Sequence, residues 1–323
     1  EPLTTHGYTN EEERNVTTLV MEHHQRSGIG NAVIMQYMLD WFRLPFSFEM
    51  TLWLSQILQG MAMKYAVEHW RRSMPRGMGT LYWQVNDNWP TASWSSLDYH
   101  GRWKALHYMA KQFFAPVLVS GVEDLATNTV EVHLTNDQRA FTTGEVAWRL
   151  LMPDGETVAS GQCTASMAAG STGRVAMLDL SEYLSTSQAV QQWLLDLCYL
   201  VDGESVSTNL VTSCRPKHLA LPHPEITLQV EPQDAYHCGV TLTAAHPALW
   251  TWLAMEGVAL RGSDNYFHLF PHRPMRVTLT ASQALSAEEW QTQLQAYSLI
   301  DTYQPVRTAS QSLHTPLMVQ VES

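Results

Sequence analysis

Between Gly79 and Pro90 the chain reads GTLYWQVNDNWP, and this stretch holds the residues best suited to binding chemistry. Trp83 offers a flat aromatic face, and Gln84, Asn86, Asp87 and Asn88 supply hydrogen-bond donors and acceptors close beside it. A sugar ring has apolar C–H faces and a fringe of hydroxyls, so it calls for that pairing of aromatic plane and amide or carboxylate. The competing reading is equally physical: a strand that packs Trp83 into a core, with Asn and Asp as turn formers. Trp89 and Trp94 follow in either case.

The alternation over 79–85 predicts a strand, and the polar run after it a loop. In a parallel α/β barrel that junction is where active sites lie. The flanking segments read as helices. Asn10 with the acids after it is a helix start, and NEEERNVTTLVMEHHQ has apolar residues at helical spacing. NAVIMQYMLDWF and FEMTLWLSQILQGMAMKYAVEHWRR repeat that pattern, the second closed by Pro75 and Gly77. GRWKALHYMAKQFF is a further amphipathic helix. Helices, strand, loop and helix in this order predict the last turns of an α/β barrel or doubly wound sheet.

From about residue 116 short alternating runs separated by Gly, Asn and Asp turns predict antiparallel β-sandwiches. KHLALPHPEI (217–226) is a proline-rich joint between two of them. The expected division is 1–116, 117–220 and 221–323.

Other candidates carry less. His23, His24 and His69 have no metal-ligand partner at a suitable spacing, so no metal is expected. Glu68 precedes His69 on a helix and reads as structural. Trp250 and Trp252 alternate on one predicted strand, with core packing the default and a carbohydrate-binding face the minor option. No G-x-S-x-G elbow and no phosphate loop occur. Asn15-Val16-Thr17 is a glycosylation-type sequon that falls on a predicted helix, and is read as chance.

The 323 residues are 45% hydrophobic and carry a formal charge of −12, which argues against nucleic-acid partners. No apolar run is long enough for a membrane span, and no signal peptide opens the chain. Cys163, Cys198, Cys214 and Cys238 lack paired spacing and read as free thiols, which fits a reducing, cytoplasmic setting. The missing initiator Met suggests a fragment or a processed chain.

MPRGMGTLYWQVNDNWPTASWSSLDYHGRWKALHYMAKQFFAPV (74–117) resembles the segment around the last barrel strand of the β-mannosidases in glycoside hydrolase family 2. EERN, HHQRSGIGN and LSQILQGMAMKYAVEHWRR resemble the run leading into that strand, and LRGSDNYFHLFP (260–271) resembles a strand of their C-terminal sandwich. The resemblance implies the end of a (β/α)8 barrel followed by two immunoglobulin-like sandwiches. It also implies a retaining exo-hydrolase that removes terminal β-linked mannose with two glutamates about 5–5.5 Å apart, and needs no cofactor. Trp83 then lines the mannose subsite, Asn86 and Asp87 lie on its rim, and Trp89 and Trp94 shape the loop.

The departure from the family pattern is large. Neither the Ser-Glu-Phe-Gly context of the nucleophile nor the Asn-preceded acid/base occurs, so both catalytic glutamates are expected upstream of Glu1. The partners implied are β-mannoside oligosaccharides and the N-terminal part of the same enzyme. The chain alone is expected to be inactive. A non-catalytic carbohydrate-binding or scaffold fragment, or a sister β-galactosidase or β-glucuronidase activity, are the alternatives.

Overall fold

A computed structural model describes residues 2–184 and 192–303; Glu1 and the 304–323 end of the third expected domain lie outside the described residues. The N-terminal region is helical: α1 (Pro2–His6), α2 (Leu19–His23), α3 (Gly30–Trp41), α4 (Phe48–Arg72) and α5 (Ala105–Phe113). Ser47 caps α4 by accepting from the Met50 N–H at 3.2 Å. The α4 and α5 helices then meet where Gly60 faces Met109.

The long helix expected from Asn10 does not form. Asn10 and Glu13 do make a reciprocal capping box, but around a single 3-10 turn, Glu11–Glu13. Side chains then compete for the backbone. The Asn15 carboxamide accepts from the Thr17 N–H at 3.0 Å and from its hydroxyl at 2.9 Å, and the Thr18 hydroxyl donates to the Glu13 carbonyl. Helix resumes only at Leu19, so the sequon lies on an exposed turn and not on a helix.

The strand expected over 79–85 is also not formed as one. The segment is non-helical and alternates in exposure, with Leu81 97%, Trp83 73% and Val85 55% exposed while Tyr82 and Gln84 turn inward. A strand is completed by a neighbour, and among the described residues none pairs with 79–83. No parallel sheet is present among them either. The parallel pairing described is one bridge, Gln25 to Ala92.

The rest of the described residues form two immunoglobulin-like sandwiches. The first has β1 (Val117–Asp124), β2 (Thr129–Asn136), β3 (Thr142–Leu151), β4 (Thr157–Met167), β5 (Ser171–Asp179), β6 (Leu194–Val201) and β7 (Glu204–Thr212). These form an antiparallel β1-β2-β5 sheet against β4-β3-β6-β7. Alternate residues Val130, Val132 and Leu134 enter the core and meet Val146, Leu195, Leu197 and Tyr199. The β6–β7 hairpin turns at Asp202-Gly203, both at positive φ (51° and 81°), the combination a tight hairpin needs.

The second sandwich has β8 (Thr227–Pro232), β9 (His237–Thr243), β10 (Ala248–Ala254), β11 (Leu260–Gly262), β12 (Phe267–Leu269), β13 (Met275–Ala281) and β14 (Gln295–Tyr297). The sheets are β11-β13-β9-β8 and β12-β10-β14, with α6 (Ala287–Gln293) placing Trp290 in their core.

One apolar cluster joins all three regions. It takes Leu54, Ile57 and Phe113 from the helices, Leu151, Leu194 and Leu210 from the first sandwich, and Leu249, Trp250, Trp252 and Tyr266 from the second. Trp250 and Trp252 are 5% and 0% exposed, and Trp252 stacks on Trp53 at 5.0 Å. Buried there, the pair offers no carbohydrate-binding face. Polar groups seal the same seams. Glu68, itself buried, accepts from Asn209 of β7 at 2.7 Å and from Lys64 at 3.1 Å, as a structural carboxylate would. All four cysteines are unpaired.

Candidate functional site

The 83–98 loop is held by polar contacts at both of its ends. The Ser96 and Leu97 N–H groups donate to the carbonyls of Gln84 and Val85 at 3.0 and 2.7 Å, so the loop returns alongside its own start. The Tyr82 hydroxyl donates to Ser96 Oγ at 2.9 Å, while Gln59 of α4 donates to the Trp94 carbonyl at 2.7 Å. Further on, Asp98 accepts from Thr4 Oγ1 at 2.6 Å, from Arg102 Nε at 2.7 Å and from the His100 and Arg102 N–H groups at 2.9 Å. Burial pushes the Asp98 carboxyl up, but these donors together hold it below the usual carboxylate range.

A second strap joins the loop to the α2–α3 connection. The Ala92 N–H donates to the His24 carbonyl at 3.0 Å, as does the Thr91 hydroxyl, and the His24 ring hydrogen-bonds the Pro90 carbonyl. His24 is stacked against Tyr8 at 3.7 Å and against Trp89 at 4.9 Å. His24 is therefore a packing residue of the strap, with His23 edge-on to it at 5.5 Å and to Trp89 at 6.0 Å. Among the described residues no group of three His, Cys, Asp or Glu is placed to hold a metal.

In front of these supports lies a cleft of about 470 Å³, lined by Trp83, Gln84, Asn86, Asp87, Asn88, Trp89, Thr91, Ser93, Trp94 and Arg26. That volume suits a small ligand. Trp83, Asn86 and Asn88 are exposed to it, and Trp94 is partly so. The peptide between Trp83 and Gln84 is cis. Asp87 behaves differently. It is 7% exposed and its carboxylate accepts from Ser93 Oγ at 2.8 and 2.7 Å and from Ser95 Oγ, with Gln84 at 3.4 Å. Its oxygens are thus largely consumed in holding the loop.

All five residues singled out from sequence, Trp83, Asn86, Asp87, Trp89 and Trp94, meet at this cleft. Arg26 was not singled out, and it alone among the lining residues comes from outside 83–94. Asp87 is the one carboxylate among the described residues lining the cleft, so a glutamate pair is not found there.

Comparison with known proteins gives a consistent neighbourhood. Residues 128–218 match the Mannosidase Ig/CBM-like domain, and residues 221–302 match a mannosidase Ig-fold domain. A β-mannosidase of Bos taurus is 31% identical over 304 residues, covering 87% of this chain and 34% of the relative. β-Mannosidase A of Aspergillus clavatus is 29% identical over 263 residues, covering 76% and 28%. The chain thus spans about a third of the length of the curated relatives it matches. Among solved structures, a β-D-mannosidase from Dictyoglomus thermophilum superposes with a TM-score of 0.80 at 22% identity, covering 91% of this chain and 35% of that one. An exo-chitosanase of Amycolatopsis orientalis superposes at 0.71 with 15% identity, covering 93% and 40%. At those identities the fold is what is shared.

Proposed function

The chain belongs to the β-mannosidases of glycoside hydrolase family 2, matching their C-terminal portion, and on that premise we propose that it forms one wall of a β-mannosidase active site. The enzyme would remove terminal β-linked mannose with retention. The observation that carries this reading is the cleft itself, in which Trp83, Asn86 and Asn88 are exposed at the end of an extended, unpaired segment. In the proposed arrangement residues 1–116 are the end of a (β/α)8 barrel and 79–85 is its last strand. Residues 117–220 and 221–323 are the two sandwiches.

Trp83 stacks on the apolar face of the terminal mannose, and Asn86 and Asn88 bond its hydroxyls. Asp87 fixes the loop from behind through Ser93 and Ser95. The chemistry requires two carboxylates about 5–5.5 Å apart, one attacking the anomeric carbon and one protonating the leaving oxygen. Those are assigned to the polypeptide that accompanies this portion in the longer relatives, which is also the partner that pairs with 79–83. No cofactor takes part in this scheme.

Two measurements test the proposal. The purified 323-residue chain is expected not to hydrolyse an aryl β-mannoside, and measurable turnover would overturn the assignment of the carboxylates. In an enzyme containing the accompanying portion, Trp83→Ala is expected to lower kcat/KM about tenfold or more with the melting temperature unchanged, since a lost stacking contact of about 1.4 kcal/mol is a factor of ten. Unaltered kcat/KM would remove Trp83 from the subsite. Running aryl β-galactoside and β-glucuronide alongside separates the sister activities.

A further inference from the structure

Arg26 lines the sugar cleft from the opposite segment, and several observations set it apart. Its backbone is rooted: the neighbouring Gln25 bridges to Ala92, and the Gln25 side chain donates to Asn31 at 3.0 Å. Its side chain is exposed and makes no ion pair among the described residues. The guanidinium carbon lies 5.9 Å from the centre of the Trp89 ring, so the plane of Trp89 holds the group in position. Arg26 is also the one cation among the residues lining the cleft. The turn that carries it, 26–29, is exposed throughout, and Arg26 is its one residue that lines the cleft.

A guanidinium has five N–H donors in a fixed fork and no acceptor. Its ligand must therefore be rich in oxygen lone pairs. The cleft around it is built from neutral amides, with its carboxylate already consumed by serines, which suits hydroxyls better than an anion. Arg26 reaches the cleft on a different segment from Trp83 and rests on Trp89, so the two residues are assigned to different units of the ligand.

We propose that Arg26 is a specificity-determining residue that donates to the hydroxyl oxygens of the second sugar of an oligosaccharide, the unit next to the terminal mannose. This rests on the reading of the cleft given above, and the test separates the two. Saturation-transfer NMR with β-1,4-linked mannobiose, on the 323-residue chain at a concentration where sedimentation finds it monomeric, reads contact to each ring. The parent chain is expected to transfer to both rings. Arg26→Ala should lower transfer to the reducing-end ring, relative to the other ring, by at least half, with Arg26→Gln intermediate because its amide keeps two donors. Trp83→Ala should abolish transfer to both rings. An unchanged ratio in Arg26→Ala, with Trp83→Ala still abolishing transfer, overturns the role of Arg26 and leaves the sugar cleft standing. No transfer in the parent chain overturns both.

Discussion

Asp87 and Asp98 are both buried carboxylates on the loop that frames the cleft, and both are bonded by the protein's own donors. Asp98 has the richer donor set, joining α1 through Thr4 to the start of α5 through Arg102. The donors bind the ionised form, so the folded-state pKa is depressed. The stabilisation is therefore complete above the unfolded carboxyl value of about 3.9 and is lost as pH falls through the lower folded value. Asp98→Asn is expected to cost about 1–3 kcal/mol in urea unfolding near neutral pH, with the difference from the parent shrinking at about pH 3. A difference that stays constant over that range would contradict the assignment. At this scale the sequence was informative for residues close to Trp83, because spacing along one loop is local. Arg26 was invisible to it, since only the strap between 24–25 and 90–92 brings it to the cleft. The duty of Asp87 was equally hidden: a carboxylate bound by two serines and one free to meet a sugar look the same in sequence.

Between elements, β10 and β12 are linked by a side chain in place of a ladder bond. The Trp250 N–H donates to His268 Nδ1 at 3.2 Å, and the register slips between Ala248 and Thr251. Burial, with Lys64 and Arg273 adding repulsion, brings the His268 pKa down to about 3. The folded state keeps this ring neutral while the unfolded chain takes up a proton at about pH 6.5. Stability should therefore be unaffected by His268 above that value and fall as pH drops below it, by up to about 1.4 kcal/mol per unit, until the folded group titrates. His268→Gln is expected to flatten the fall, measured by urea unfolding across that window. The elements themselves were partly legible. The sandwich strands were visible because one face of each is buried and the side-chain period is two. The helix from Asn10 was misread because Asn15 and Thr18 take the backbone's bonds; the segment over 79–85 is extended but unpaired among the described residues, because pairing depends on a neighbour and not on alternation.

Across the whole molecule the shared apolar cluster decides how the parts unfold. Trp252 touches α4 through Trp53, and Tyr266 and Tyr297 within its own sandwich. Trp252→Ala is expected to cost about 3–5 kcal/mol, the usual figure for deleting a buried aromatic, and to lower one joint calorimetric transition. Two separated transitions in the parent chain would show that the cluster does not couple the regions. The sequence marked this tryptophan as apolar and on a strand; that its partner is a helix some two hundred residues earlier follows only from the way the sandwiches fold back. The unpaired 79–83 segment has a consequence of its own. With Leu81 and Trp83 projecting and its amides unclaimed among the described residues, it can pair with the same segment of another copy. Concentrating the isolated chain should thus favour cross-β association, and co-expression with the polypeptide proposed to pair with this segment should suppress it.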